Sequence, residues 1–232
     1  MVINIIKKLK LPLFAAVLSI TTHQAYAGGV ALGATRVIYP AGNKQVSLPI
    51  NNSDERTVFL IQSWVSDEKG NKSTDFIVTP PLFTLKAQKE NTMRIMYVGQ
   101  GNLPGDRETV YYFNSKAIPA VPESATKGNT LQIATQSVIK LFVRPKDLPV
   151  SSADAPSMLR CKLSGSELVI TNPSPYYVSM VNVYVGSKKL EHTMVAPKSE
   201  KRAQSGGGTG AVKFQTVNDY GATTRQQVCT GA

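Results

Sequence analysis

The stretch "NTLQIATQSVIKLFVRP", residues 129–145, carries Leu131, Ile133, Ile139, Leu141 and Val143 on alternate positions, with Val138 out of step and one cation, Lys140, among them. A period of two is that of a strand, whose successive side chains face opposite ways. A strand over 129–143 is far longer than the usual five or six residues. Its length and its lysine both need a reason.

The rest of the chain reads the same way. "TRVIYP" (35–40), "KQVSLPI" (44–50), "RTVFLIQSWVS" (56–66), "NTMRIMYVG" (91–99) and "ETVYYFNSKAIP" (108–119) are rich in β-branched and aromatic residues, and "PAGN", "NNSDE" and "DEKGNKS" punctuate them as turns. Strands resume at 167–185, 192–197, 211–219 and 224–229. No segment of ten residues keeps a helical period. Short strands at this spacing predict an all-β chain of sandwich type. Between the two sets lies "RPKDLPVSSADAPS" (144–157), with three prolines and no apolar pattern, which reads as a linker. The expected division is therefore 28–147 and 148–232. "SGGGTG" (205–210) is read as a loop, since it lacks the Lys-Ser/Thr and the strand-to-helix setting of a phosphate cradle.

Residues 1–27 are set apart. Lys7, Lys8 and Lys10 precede the apolar run Leu11–Ile20, and Ala25-Tyr26-Ala27 has the form of a signal-peptidase site. This predicts a secretory signal peptide, too short for a membrane span, with the mature chain beginning near Gly28. No later stretch approaches the ~18 apolar residues that a spanning helix needs. Removing three lysines and no acid lowers the formal charge from +11 to +8. The remaining Lys and Arg are scattered without an aromatic-studded stripe. That pattern favours a solvated basic surface over nucleic-acid binding and leaves room for an anionic group on a partner.

Two cysteines, Cys161 and Cys229, are too few for a disulfide scaffold. An isolated pair in an oxidising compartment is expected to bond, here tying the start of the second half to its end. The mature chain keeps one histidine, His192, with no assignable partner for any serine and no cluster at metal-ligand spacing. Neither an enzyme nor a cofactor or metal site is expected.

A binding role follows from the long strand. Its second half, Ile139–Val143, suits burial in its own sheet. Its first half follows the polar loop "AVPESATKGN" (120–129) and has no proline or charge over 130–139, so it is expected at an exposed edge. Proteins blunt such edges unless they use them, and the use is to pair with an extended segment of another chain. Lys140, and Arg36 in the strand "ATRVIYP", could then grip a partner's C-terminal carboxylate. Otherwise both reach the surface or pair with internal acids.

"TRVIYP" (35–40), "TPP" (79–81), "RETVYYFNSKAIP" (107–119), "LQIATQSVIKLFVRP" (131–145), "NPSPYYV" (172–178) and "NDYG" (218–221), in this order along the chain, resemble the PapD-like periplasmic pilus chaperones. The resemblance implies two immunoglobulin-like β-sandwich domains set as a boomerang. It implies that one strand completes the fold of a pilus subunit before delivery to an outer-membrane usher, without ATP. Leu131, Ile133 and Thr135 look like the donor residues, with Ile139 further along. Arg36 and Lys140 fall on the pair that anchors the subunit's terminal carboxylate. Glu108, Arg144 and Asp219 match an interdomain ion network. A free chaperone is expected to cap its donor edge, self-association being one route. The brief 120–129 loop, without cysteines, matches the short F1–G1 loop subclass. Thr135 departs from a large aliphatic residue, and Cys161 and Cys229 depart from the best-known members. Trp64 is expected in the core, and Thr79-Pro80-Pro81 at a turn with a cis bond. The competing reading is an exported two-domain adhesin or pilus component.

Overall fold

The computed structural model describes residues 28–101, 103–121 and 131–231. The expected signal segment 1–27, and the loop 120–129 from residue 122 onward, lie outside the described residues. Among these there is no α-helix, only a 3-10 turn at Ala155–Met158.

The first half contributes β1 (Val30–Leu32), β2 (Arg36–Pro40), β3 (Val46–Asn52), β4 (Phe59–Ser66), β5 (Phe76–Thr79), β6 (Leu82–Leu85), β7 (Glu90–Tyr97), β8 (Thr109–Pro119) and β9 (Thr135–Arg144). They form one sheet in the order β1-β3-β7-β5 and a second in the order β2-β9-β8-β4-β6. Alternation decides what lies between them. Leu48, Ile50, Ile61, Met93, Ile95, Phe113 and Leu141 are almost wholly removed from water and form one core with Tyr39 and Val143. Trp64 is not among them, contrary to expectation. It shares its strand face with Leu60 and Gln62, so the pleat that buries Ile61, Ser63 and Val65 turns it outward, where it is half-buried.

The second half contributes β10 (Arg160–Ser164), β11 (Glu167–Asn172), β12 (Val178–Val185), β13 (Lys188–Lys189), β14 (Thr193–Val195), β15 (Ser199–Gln204), β16 (Val212–Thr216), β17 (Gln227–Val228) and β18 (Thr230–Gly231). Sheets β15-β11-β10-β18 and β13-β12-β16-β17, with β14 beside β12, enclose a separate core that includes Leu168, Ile170, Met180, Val183 and Phe214. Leu148 and Val150 already pack on this second core. Cys161 and Cys229 are bonded, with Cα atoms 5.7 Å apart, inside the normal range. Closing a loop of 68 residues contributes roughly 4 kcal/mol on the chain-entropy model. The Thr79–Pro80 bond is cis.

The long strand is shorter than its sequence pattern. It begins at Thr135, while Leu131–Ala134 run on outside the ladder. The reason is a want of neighbours. Ala117 of β8 pairs with Thr135, and β8 ends two residues beyond at Pro119, which has no N–H to give. Upstream of Thr135, Gln132 holds the chain by a bond from its Nε2 to the Pro119 carbonyl at 2.6 Å.

Candidate functional site

Strand β9 changes character at Lys140. From Lys140 to Arg144 it is a central strand, antiparallel to β8 and parallel to β2, with Arg36 opposite Lys140 and Pro40 opposite Arg144. From Thr135 to Ile139 only β8 accompanies it among the described residues, because β2 starts at Arg36. One row of backbone N–H and C=O groups along 135–139 therefore has no strand beside it. Residues Thr135–Val138 are exposed. Leu131 and Ile133 continue this edge at 85% and 66% exposure, very high for large aliphatic side chains.

Parity sorts the side chains. Leu141 and Val143 lie in the first core and Ile139 packs against it. Ile139 is thus half-buried against its own sandwich and less displayed than Leu131 and Ile133. On the other face, Phe142 is 3% exposed yet belongs to neither sandwich core. Its ring lies 5.6 Å from that of Tyr177 in the second half, so this face of β9 is the seam between the two sandwiches.

Along that seam sit the charges. Arg144 donates from Nε to Glu108 Oε1 at 2.7 Å, and from Nη1 and Nη2 to the two oxygens of Asp219 at 2.7 and 2.8 Å. Its guanidinium also lies 5.0 Å from the centre of the Tyr176 ring. Glu108 is 3% exposed and its second oxygen accepts the Tyr177 N–H at 2.8 Å. Asp219 takes a further bond from the Ser152 hydroxyl at 2.8 Å. Glu108, Arg144 and Asp219 are thus brought together as expected, and they join residues from both sandwiches. Burial pushes the Glu108 carboxyl above its usual range despite Arg144. Burial pushes Asp219 the same way, but the bonds from Arg144 and Ser152 prevail and hold it below.

Arg36 and Lys140 are different. Lys140 Nζ donates to the Ser179 hydroxyl at 3.1 Å, and Arg36 Nη1 to the Val217 carbonyl at 2.9 Å. Among the described residues neither forms a salt bridge, and Arg36 Nε is buried without a hydrogen-bond partner. Burial, followed by the charge of Arg36, pulls the Lys140 ammonium below the usual lysine range. Burial lowers Arg36 also, against the attraction of Asp219 and Glu108. Two half-buried cations side by side, without an ion-pair partner among the described residues, can donate charge-assisted hydrogen bonds to an anion, and a carboxylate suits a guanidinium best.

Sequence reasoning passed over two things here. Phe142 and Tyr177 read as ordinary strand residues, and only their pairing across the seam shows their use. Ser179 carries no motif at all. Its position on β12, opposite Lys140, comes from the docking of the two sandwiches.

An open strand edge that runs out of a cationic seam between two immunoglobulin-like sandwiches defines a pilus-assembly chaperone, in the boomerang class of folds. The chain belongs to that family. Residues 29–149 match the family described as pili and flagellar-assembly chaperone, PapD N-terminal domain, and residues 154–228 match the pili assembly chaperone PapD, C-terminal domain. The chain is 45% identical over 205 residues to the chaperone protein FocC of Escherichia coli, across 88% of this chain and 90% of that one. It is 46% identical over 197 residues to the chaperone protein FimC of Escherichia coli strain K12, across 84% and 82%. Among solved structures, the periplasmic chaperone SfaE matches at 42% identity and a TM-score of 0.77, over 87% of this chain and all of that one. A chain from the complex of Salmonella enterica SafA pilin with the SafB chaperone matches at 30% identity and a TM-score of 0.80, over 89% and 98%.

Proposed function

We propose that this chain is a periplasmic, non-enzymatic chaperone that binds pilus subunits, completes their fold with its own strand and hands them to an outer-membrane usher. The observation that carries the reading is the junction at Lys140. There an unpaired strand edge meets two half-buried cations that lack a counter-ion among the described residues. A subunit strand laid along 135–139 would gain backbone bonds, and its terminal carboxylate would reach Arg36 and Lys140. Such charge-assisted bonds contribute roughly 1.5–3 kcal/mol each.

In this reading Leu131, Ile133 and Thr135 fill the subunit's groove, with Ile139 further along the same strand, where it also packs on the chaperone's own core. The ordering of 131–134 into the ladder takes place on the subunit. Thr135 marks a smaller pocket in the partner or a weaker hold at that point. Glu108, Arg144 and Asp219 orient the sandwiches and do not touch the subunit. The reading takes 1–27 as the removed export segment and divides the remainder at 147/148. A free molecule is expected to cover its edge with a second copy. Relatives of matching length are named chaperone proteins, one of them a probable fimbrial chaperone, and one matching chain comes from a chaperone–pilin complex, which favours this reading over the adhesin.

The test is co-purification from periplasm of wild type and of Arg36→Ala/Lys140→Ala. A subunit that accompanies the wild type and vanishes with the double variant is the expected result. Equal recovery with both overturns it.

A further inference from the structure

Tyr220 is the most exposed large hydrophobic side chain among the described residues, at 95%. Such a residue is commonly at the tip of a loose loop, but this one is not. Asn218 Oδ1 accepts from the Tyr220 N–H at 3.1 Å and from the Ala222 N–H at 2.9 Å, while Asn218 and Ala222 exchange a further backbone bond at 3.0 Å. Gly221 donates to the Asn218 carbonyl at 3.0 Å and holds φ at +84°, a conformation that favours glycine. A Cβ on Gly221 would lie 2.2 Å from the Thr35 hydroxyl oxygen, so the turn is pressed against the residue that precedes Arg36.

Its flanks are fixed as well. The Val217 carbonyl receives Arg36, and Asp219 receives both terminal nitrogens of Arg144. The same six residues, 217–222, thus steady one cation of the proposed anchor, lock the seam, and set an uncovered phenol between them at the rim.

Resting on the proposed chaperone reading, we infer that Tyr220 is a subunit-contacting residue: its ring closes over an apolar patch of the bound subunit beside that subunit's terminal carboxylate. A tyrosine offers a large, stiff contact area for two rotatable bonds, with an apolar ring for the partner and a hydroxyl for water. Because the turn is already rigid, ordering it costs little on association. The hydroxyl keeps to water at the edge of the contact.

The probe is the fimbrial subunit that co-purifies with wild type, measured for retention on immobilised chaperone. Tyr220→Ala is expected to shorten retention about 10-fold or more, and Tyr220→Phe to stay within about twofold of wild type. Both variants should unfold at the wild-type temperature, since the side chain is 95% exposed and buries almost nothing in the free protein. A photo-crosslinking amino acid at position 220 should yield a chaperone–subunit adduct. Unchanged retention of Tyr220→Ala, or no adduct, overturns the inference. If Arg36→Ala/Lys140→Ala loses the subunit while Tyr220→Ala keeps it, the inference alone fails. If both keep it, the chaperone reading fails with it.

Discussion

Lys140 and Arg144 stand four residues apart on the same face of β9, and their surroundings are opposite. Arg144 is held by two carboxylates, bidentate on one of them, and covered by an aromatic ring. Lys140 has a single hydroxyl and a like-charged neighbour. Both cations lost water on folding, but among the described residues Arg144 alone of the two found its charge answered by a carboxylate. A half-buried cation without a counter-ion is a local cost to the folded state. Its retention makes sense if the missing charge arrives with another molecule. The paired site holds the two sandwiches together, and the unpaired one is left for the partner.

The largest effect expected from breaking this contrast is on Arg144. Arg144→Met leaves the Glu108 carboxylate, 3% exposed, without its cation, and stability should fall by about 3–5 kcal/mol. Urea denaturation gives the number. Glu108→Gln/Arg144→Met should recover a large part of it, because the orphaned charge is then gone. Equal losses in the single and double variants would sink the idea that charge pairing at the seam is what matters.

Lys140→Met and Arg36→Met should invert that pattern. Burial disfavours both cations, and Arg36 further disfavours Lys140, so removing Lys140 should leave stability unchanged or raise it by about 0.5 kcal/mol, while removing Arg36, which Asp219 and Glu108 attract, should change it little. Subunit capture should drop about 10-fold or more for each, one charge-assisted bond being worth roughly 1.5–3 kcal/mol. Parallel measurement of unfolding and of retention on one preparation separates the two readouts. Loss of both together would make Lys140 another structural cation like Arg144.

Much of this contrast was legible in the sequence, and the limits are instructive. Alternation in "VIYP", "FLIQSWV" and "MRIMY" was enough for the strands of the first sandwich, because each buries every second residue. It was not enough for β5, β6 and β15. The first two are four residues each around a Pro-Pro turn, and "SEKRAQ" is polar on nearly every position. β15 is an edge strand held by its pairing with β11 more than by burial of its own side chains. Arg36 and Lys140 could be singled out as cations in apolar strands, but not as register partners in a parallel pair, since register is set by the sheet. The end of β9 was misplaced because the pattern Leu131, Ile133, Ile139 continues where the neighbouring strands stop. Periodicity reports which face a residue would take; it does not report whether a strand lies alongside. Trp64 failed for the reverse reason, as both faces of β4 are rich in large side chains and composition alone could not select the inner one.

The exposed part of the strand offers a smaller effect. Ile133→Asp touches nothing that folds the chaperone, so stability should stay within about 0.5 kcal/mol of wild type. Subunit retention should shorten several-fold, because the aspartate would have to enter an apolar groove. Ile139→Asp should behave oppositely and unfold the first sandwich, since that side chain packs on its core. If both substitutions act on capture alone, the boundary drawn between residues 135–138 and Ile139 is wrong.

The smallest effect is expected from pH, and it acts on the paired side only. Asp219 titrates below its ordinary value of 3.8 in the folded protein. The unfolded chain therefore takes up that proton first as the solution is acidified. The stability Asp219 contributes is complete above about pH 3.8 and disappears as pH falls through its lower folded value. Glu108 has the opposite sign. Its folded carboxyl titrates above the ordinary 4.5, so its ionisation opposes folding, and that cost is relieved as pH falls through the folded value. On acidification the two carboxylates of one arginine thus act in sequence: Glu108 first flattens the stability curve, and Asp219 then steepens it. Asp219→Asn should lower stability at pH 7 and remove the later, steeper limb. Glu108→Gln should remove the earlier, flatter one. Chemical denaturation of the three proteins between pH 7 and pH 3 distinguishes these shapes. Identical curves after a vertical offset would mean that neither carboxylate senses the seam as its contacts require.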